Sequence, residues 1–256
     1  PPPPPPPPPP FLLIRRPPRS PHSTGRRQRQ MCIRDWLWVL DPQGATSYYY
    51  KVKPKVKGGG KKLIEGKSDI EDAVRGTDYE DLDILPADFS YRNMDLFLDQ
   101  TKKPQKRLRK LLQPFEDEYD YVFLDCPPSI SSASEAVFAA SDVLLVPTIP
   151  TTLSLRTYKQ IRKFFHENGY AEMKILPFFA MVDRRKQMHR LIVQHPPSFM
   201  PATLRSYIPY ASEVEKMGVH RAPVGVFAGR SRAAVSYRNM WEEVKEDLHL
   251  LESELE

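Results

Sequence analysis

The sequence predicts an α/β fold, a doubly wound and mostly parallel sheet with helices on both faces. Short apolar runs alternate along the chain with segments that carry apolar residues at helical spacing, which is typical of parallel strands joined by crossover helices. Some runs, such as 121–124 and 143–146, are apolar at every position, as in strands buried on both faces. We therefore expect one compact domain whose strands are covered by helices.

The predicted strands are short apolar runs, most of which end at an acid or a proline. They cover 36–40, 82–85, 121–124, 143–146, 175–182 and 204–208. The predicted helices lie between these runs and carry apolar residues three or four positions apart. They cover 68–74, 94–98, 106–112, 134–140, 155–168, 189–194 and 241–251. In the first of them, Ser68 is expected to be the N-cap and Glu71 its capping-box partner.

The net positive charge of the chain comes from its first 35 residues. The 256 residues have a net charge of +6. Residues 1–35 contain seven arginines and one acid, Asp35, whereas residues 36–256 contain 31 basic and 31 acidic residues. The net charge of the chain is therefore no argument for nucleic-acid binding, and any such binding must come from local clusters of basic residues.

Residues 1–35 differ in composition from the rest. Thirteen of the 28 prolines lie in the first 21 residues, and ten consecutive prolines favour polyproline II. The apolar run 11–14 is too short for a membrane span and does not have the layout of a secretory signal. We interpret 1–35 as a disordered, non-native head and 36–256 as the folded domain. The alternative is a proline-rich ligand for SH3-like partners.

The rest of the chain has the composition of a cytoplasmic protein. Cys126 is the one cysteine in residues 36–256, so no disulfide within this domain is expected. No uninterrupted apolar run approaches 18 residues, so no transmembrane helix is expected.

Two predicted strands end in an aspartate with proline close behind, Asp41 and Asp125. In an open parallel sheet, ligands bind at the carboxyl ends of the strands. A carboxylate there suits Mg²⁺ held through water, and a second carboxylate suits the orientation of an attacking water. For either aspartate alone, capping of the turn after the strand is the competing interpretation. Together they predict a metal–phosphate site.

Sequence motifs in the order of a known family surround these aspartates. LDPQGATS at 40–47 resembles the Walker A′ motif of ParA-type partition ATPases, a deviant-Walker group that includes MinD, and YDYVFLDCPPSIS at 119–131 resembles their Walker B strand and switch loop. Further similar segments stand at 82–89, 141–154, 178–189 and 208–234. The resemblance covers nearly all of 36–245 and implies a fold like that of P-loop NTPases.

The resemblance assigns roles to individual residues. It implies that Asp41 helps to position the hydrolytic water and that Asp125 holds Mg²⁺ through water. The positions that match the loops around the adenine are Met181, Asp183, Pro209 and Tyr210. Arg230 and Arg232 match basic positions that bind DNA without sequence preference. We add Arg221 to this group because it lies in the same Gly/Ala/Pro-rich stretch.

The function that the resemblance implies is an ATPase switch in plasmid or chromosome partitioning. Such a protein uses ATP and Mg²⁺, forms a homodimer with ATP, binds DNA and responds to a ParB-like partner. We expect it in the cytoplasm, associated with the nucleoid. A MinD-like positioning ATPase is the alternative, but the terminal WEEVKEDLHLLESELE has seven acids and one lysine, which disfavours membrane binding. An amidotransferase-type synthase is disfavoured by the DPQGA and DRRK segments.

The chain departs from the family pattern in two places. Val39 stands where the family usually has a first acid, and no KGGxGK[ST] phosphate loop precedes Asp41. KGGGKK at 57–62 is no substitute, because it follows the lysine-rich KVKPKVK rather than a buried strand, and Lys62 stands where Ser or Thr is needed. We expect a solvated basic loop there, with a loose contact to DNA phosphates as the alternative. The chain is accordingly expected to lack the first strand and P-loop, as a catalytically incomplete fragment with weak or no ATP binding.

Two further basic clusters, three histidines and Cys126 have no motif that assigns them a specific role. The basic residues around the helix at 106–112 are expected to form a solvated face. The cluster at 184–190 is left open between nucleotide or DNA contact and solvation. We expect His166, His189 and His220 at the surface, and Cys126 as a small packed residue.

Overall fold

The fold is described by a computed structural model that covers the backbone of 11–15 and residues 34–101, 103–115, 118–127, 130–170 and 173–255, with side chains between 34 and 249. The chain has two compact units, which we call the first unit (12–144) and the second unit (145–256).

The first unit contains a mostly parallel sheet. Its strands are β1 (Phe11–Arg15), β2 (Asp35–Val39), β3 (Arg75–Gly76), β4 (Leu82–Leu85) and β5 (Tyr121–Cys126), in the spatial order β3-β4-β2-β5-β1. β2 pairs in parallel with β4 on one side and β5 on the other, and β3 pairs antiparallel with β4. The predicted α/β class with a mostly parallel sheet is confirmed.

Strand β1 differs from the expected disordered head. Phe11–Arg15 forms a strand next to β5, where we expected no regular structure and a sheet without its first strand. The segment begins with four apolar residues, a composition that occurs in strands of parallel sheets. The expectation for 1–10 and 16–33 lies outside the described residues. Strand β2 begins at Asp35 and ends at Val39, one residue earlier at each end than the predicted strand at 36–40.

The helices of the first unit fill the connections between its strands. They are α1 (Ala45–Tyr49), α2 (Gly59–Glu65), α3 (Met94–Asp99), α4 (Pro104–Leu112) and α5 (Ser132–Phe138), with 3₁₀ turns at Glu71–Ala73, Phe89–Asn93 and Gln113–Phe115. The 3₁₀ turn Glu71–Ala73 replaces the predicted helix 68–74. The Glu71 amide donates to Asp69 Oδ1 at 3.1 Å, whereas Ser68 Oγ has no partner among the described residues, so the Asp69 turn takes the place of the expected capping box.

Strand β2 is buried on both faces, which explains its continuous apolar sequence. Leu37 and Val39 pack on one face with Ile84 and Ala87. On the other face Trp36 and Trp38 are fully buried, and the Trp36 ring stacks on Phe115 with a centroid separation of 4.4 Å. Strand β2 is therefore the central strand of the first unit's sheet, and its side chains are buried on both faces.

The second unit begins at Leu145, within β6 (Val143–Thr148). It contains β7 (Lys174–Phe179) and the helices α6 (Thr152–Glu167), α7 (Gln187–Gln194), α8 (Ser212–Glu215), α9 (Met217–His220), α10 (Val224–Phe227) and α11 (Arg232–Leu255). The predicted strand at 204–208 is wrong. The Leu204 and Ile208 amides donate to the carbonyls of Pro177 and Phe179, but Pro177 has no N–H with which to continue a ladder.

Helix α11 begins nine residues before the predicted start at 241. Its Glu243 carboxylate accepts hydrogen bonds from the backbone amides of Arg205 and Ser206 at 2.7 and 2.8 Å, and Asp247 forms an ion pair with Lys174 at 2.8 Å. These contacts bind the helix to the segment after α7 and to the first residue of β7. No helix in the described part of the chain is both long and apolar enough to cross a membrane.

Gly60 lies in a close contact that allows no side chain. A Cβ at this position would lie 2.5 Å from the Tyr91 ring, which is itself buried. We expect Gly60→Ala to destabilise the chain by about 1–3 kcal/mol, because the ring must move within a packed core. Chemical unfolding measures the loss. Gly225→Ala is the matched control, since no atom lies within 4 Å of its Cβ position, and an equal loss in both variants would contradict the prediction.

Candidate functional site

The two predicted aspartates lie at the carboxyl ends of neighbouring parallel strands. Val39 and Asp125 are paired in the register of β2 and β5. The backbone amides of Leu40 and Asp41 both donate to the Asp125 carbonyl, at 2.9 and 3.2 Å. The structure therefore brings Asp41 and Asp125 together at one edge of the sheet, although 84 positions separate them in the sequence.

The turn after β2 has a geometry that its sequence requires. The Gln43 amide donates to Asp41 Oδ1 at 2.9 Å, and the Gly44 amide donates to the Asp41 carbonyl at 3.0 Å. Gly44 has φ +66° at the start of α1, a conformation that glycine adopts without strain. Asp41 thus caps its own turn, as the competing interpretation held. This contact holds the carboxylate beside Asp125 and does not conflict with a functional role.

Asp125 is buried and bonded to a residue of α1. Thr46 Oγ1 donates to Asp125 Oδ2 at 2.6 Å. Burial raises the pKa of Asp125 to about 6, and the charge of Asp41 acts in the same direction, while the Thr46 hydrogen bond opposes both. Sequence reasoning did not select Thr46. Its signal is its place within LDPQGATS, because the turn and the first residues of α1 bring position 46 back over the sheet edge.

These side chains suit a hydrated magnesium ion. Asp41, Asp125 and Thr46 offer two carboxylates and a hydroxyl, which are hard oxygen ligands of the kind that Mg²⁺ prefers. The described residues contain no cluster of three or more His, Cys, Asp or Glu that could hold a metal.

The glycine-rich segment at 57–62 is held elsewhere in the first unit. No strand precedes it, as predicted, but helix α2 begins at Gly59 where we expected loop up to Lys62. The Val56 amide donates to Asp88 Oδ2 at 2.8 Å, and the Gly60 amide donates to Ser90 Oγ at 2.7 Å. The Gly60 amide and the amide just before the segment are therefore bound to side chains that follow β4, which supports rejecting it as a phosphate loop.

Val39 occupies an apolar environment. Its side chain is fully buried and packs with Leu37, Ile84 and Ala87. A carboxylate there would lose its hydration without an evident ion partner, which is costly. The apolar residue at the family's first acid position is thus consistent with the packing around it.

The second unit brings together the four residues that match the adenine loops. The Val182 amide donates to the Ile208 carbonyl and the Tyr210 amide donates to the Val182 carbonyl, both at 3.0 Å. These bonds join the loop after β7, which holds Met181 and Asp183, to the loop that holds Pro209 and Tyr210. Met181 has φ +54°, a strained conformation for a residue with a side chain.

Asp183 organises the basic cluster that follows it. Arg185 Nε and Nη2 donate to the two Asp183 carboxylate oxygens, each at 3.0 Å. The hydrogen bonds from Arg185 lower the pKa of Asp183 to about 2. His189 Nδ1 accepts from the Asp183 amide at 3.1 Å and the ring is buried, so the expectation of a surface histidine is wrong. Burial lowers the pKa of His189. The cause is the turn between β7 and α7, which folds the ring back under the loop.

The three predicted DNA-binding arginines lie on the short-helix segment before α11 and at its start. Arg221 ends α9 with φ +48°, Arg230 is exposed, and Arg232 Nη2 donates to the Tyr207 hydroxyl at 2.8 Å. The candidate residues around Asp125 belong to the first unit, and those around Asp183 belong to the second unit.

The mostly parallel sheet with helices places the chain in the class of P-loop NTPase-like α/β proteins. The AAA domain family AAA_31 matches residues 36–174, more than half of the chain. The sporulation initiation inhibitor protein Soj of Bacillus subtilis is 25% identical over 214 residues, 80% of this chain and 83% of that protein. The chromosome-partitioning ATPase Soj of Treponema pallidum is 23% identical over 190 residues, 71% of this chain and 74% of that protein.

A solved structure shares the fold. The plasmid partition protein of Borrelia burgdorferi has a TM-score of 0.66 and 16% identity, and the match covers 84% of this chain and 86% of that protein. With these findings, the chain belongs to the ParA-type partition ATPases, a family of P-loop ATPases.

Proposed function

We propose that the chain is an ATP-dependent dimerisation and DNA-binding switch in plasmid or chromosome partitioning. The observation that carries the proposal is the meeting of Asp41 and Asp125 at the ends of β2 and β5, with Thr46 on Asp125. An aspartate at the end of a parallel strand, beside a second aspartate on the neighbouring strand, is the arrangement that a metal–phosphate site needs.

In this proposal ATP and Mg²⁺ are the cofactors, and Mg²⁺ supplies neutralisation of phosphate charge. Asp125 holds the ion through water, because its buried carboxylate is fixed by Thr46. Asp41 orients the attacking water, because its carboxylate is held by the turn at Gln43. The homodimer formed with ATP brings a second copy against this edge.

In this proposal the second unit supplies the residues that bind the adenine and the DNA. Met181, Asp183, Pro209 and Tyr210 surround the adenine, and the hydrogen bonds between their two loops hold them in one arrangement. Arg221, Arg230 and Arg232 contact DNA phosphates without reading sequence. A ParB-like partner stimulates ATP turnover, and the protein acts on the nucleoid in the cytoplasm.

The test is ATP turnover by the chain when a strand and a KGGxGK[ST] segment precede Trp36. We expect Mg²⁺-dependent hydrolysis in that version and weak or no ATP binding by the 256-residue chain, which contains no such motif. Failure of the extended version to bind or hydrolyse ATP would refute the proposal.

Single substitutions in the extended version distinguish the roles of Asp41 and Asp125. Asp41→Ala is expected to lower turnover by about 10²–10⁴-fold with little change in ATP affinity, because it removes a group that acts on the water. Asp125→Ala is expected to abolish the Mg²⁺ dependence of ATP binding. Asp99→Ala, an exposed aspartate at the end of α3, is the control and is expected to leave both properties unchanged.

A further inference from the structure

The first unit has a strongly uneven distribution of charge. Residues 51–67 and 103–110 together contain twelve lysines or arginines and one acid, Glu65. The rest of 36–256 contains 19 basic and 30 acidic residues. The net charge of 36–256 is zero because the excess of acids in the rest of the domain balances these two basic segments.

The fold joins these two segments on neighbouring helices. Helix α2 packs against α4, and Arg107 Nε of α4 donates to the Ile64 carbonyl of α2. Each helix buries its leucine side and leaves its lysines exposed: Leu63 is buried on α2, and Leu108 is buried on α4. We call the exposed basic side of 51–67 and 103–110 the lysine face.

Few acids neutralise the lysine face. Lys61 and Lys67 share Glu65, at 3.9 and 2.7 Å, and Lys51 pairs with Asp78 at 3.3 Å. Among the described residues, no ion pair forms with Lys62, Lys106 or Lys110, and all three are exposed. Lys106 and Lys110 lie one turn apart on the outer side of α4, so their charges point the same way.

The base of the face is held in one conformation. Asp88 and Ser90 bind the amides of Val56 and Gly60, and Gly60 packs on Tyr91. The backbone that presents Lys57, Lys61 and Lys62 is therefore anchored to the core rather than free. A cation on an anchored backbone loses less conformational freedom when it binds a fixed anion.

We propose that the lysine face is a second contact surface for the phosphate backbone of duplex DNA, separate from Arg221, Arg230 and Arg232. Protein interfaces are depleted in lysine and enriched in aromatic residues and arginine, whereas lysines that neutralise phosphates dominate sequence-independent DNA binding. No large hydrophobic residue is exposed within 51–67 or 103–110. This composition favours DNA over an acidic protein segment. The inference rests on the proposed DNA-binding function and names a further site for it.

The test measures the affinity of the extended version, which has a strand and a KGGxGK[ST] segment before Trp36 and is the unaltered chain of this experiment, for a random duplex as a function of salt, with ATP and Mg²⁺ present. The variant is Lys62→Gln, Lys106→Gln and Lys110→Gln combined. We expect its affinity at low salt to fall about tenfold and the slope of log K against log salt to decrease by about 2.7, because three phosphate contacts are lost. The matched control is Arg156→Gln, Lys159→Gln and Lys163→Gln, which removes three cations from α6, and it is expected to change neither quantity. The segment before Trp36 stays the same throughout, so it cannot cause the difference.

The outcomes separate the inference from the proposed function. Equal slopes for the unaltered chain and the lysine variant, with a loss in an Arg230→Gln/Arg232→Gln variant, would overturn the lysine face and leave the DNA-binding function standing. No binding by the unaltered chain would overturn both. Competition by poly-L-glutamate as effective as that by duplex at equal charge would also overturn the inference, since it would identify an acidic protein segment as the partner.

Discussion

Replacing Trp36 with alanine is expected to lower the free energy of unfolding by about 3–5 kcal/mol. Trp36 lies in the central strand β2, its side chain is fully buried, and its ring contacts Phe115, Trp38 and Tyr119. Alanine would leave a large cavity between the sheet and its helices, and the strands on both sides of β2 limit how far the site can collapse.

Trp36→Phe separates packing from hydrogen bonding at the same position. The Trp36 indole Nε1 is buried and has no hydrogen-bond partner among the described residues. Phenylalanine removes that unsatisfied donor while it keeps the stacking on Phe115, so we expect a loss of about 1 kcal/mol or less. Urea unfolding of both variants measures the difference. A loss in Trp36→Phe as large as in Trp36→Ala would show that the indole donor is satisfied in the native protein.

Replacing Asp35 with asparagine is expected to stabilise the chain above pH 6. Burial raises the pKa of Asp35 to about 6, and the charges of Asp120 and Asp81 act in the same direction. Its Oδ1 atom is buried and has no partner in the part of the chain that the structure describes. The folded protein therefore holds this carboxylate less favourably than the unfolded chain does.

The sign of the pH dependence follows from the raised pKa. Below about pH 4 the Asp35 carboxyl is protonated in both the folded and the unfolded state, so its ionisation does not affect the free energy of unfolding. Between pH 4 and 6 it ionises first in the unfolded chain, so the native state loses stability as the pH rises. With allowance for solvent screening, we expect Asp35→Asn to gain about 1–2 kcal/mol above pH 6 and nothing at pH 4.

Thermal unfolding across pH 4–7 measures this gain. Asp99→Asn, a change at an exposed position, is expected to shift stability by less than about 0.5 kcal/mol at any of these pH values. A gain in Asp35→Asn that is equally large at pH 4 and pH 7 would rule out ionisation as its cause.

Prediction from sequence succeeded where a local pattern is enough. The strand at 82–85 has the predicted bounds, and the apolar runs that start at 121 and 143 are strands that continue two residues further than predicted. A fully apolar run bounded by turn residues has few other conformations in which it can be buried. The turn predicted after Leu40 forms at Asp41–Gly44, where the Gly44 amide donates to the Asp41 carbonyl.

Prediction failed where neighbours decide the outcome. The run at 204–208 has a strand-like sequence, but the proline in the adjacent strand prevents a continuous ladder. Phe11–Arg15 lies between prolines and arginines and shows no strand period, so no strand is expected there, yet it forms a strand beside β5. His189 is polar and was placed at the surface, but the turn after β7 provides a backbone amide for its ring.

The sequence by itself determined the α/β class, the order of the family motifs and the neutral total charge of 36–256, because these depend on residue types and local spacing. Only the tertiary structure placed Asp125 under the amides of Leu40 and Asp41, joined Thr46 to it, and set the lysines of α2 beside those of α4. The physical reason is the same in each case. Strand register and helix packing bring together residues that are distant in the chain, and burial and charge at a site depend on those neighbours.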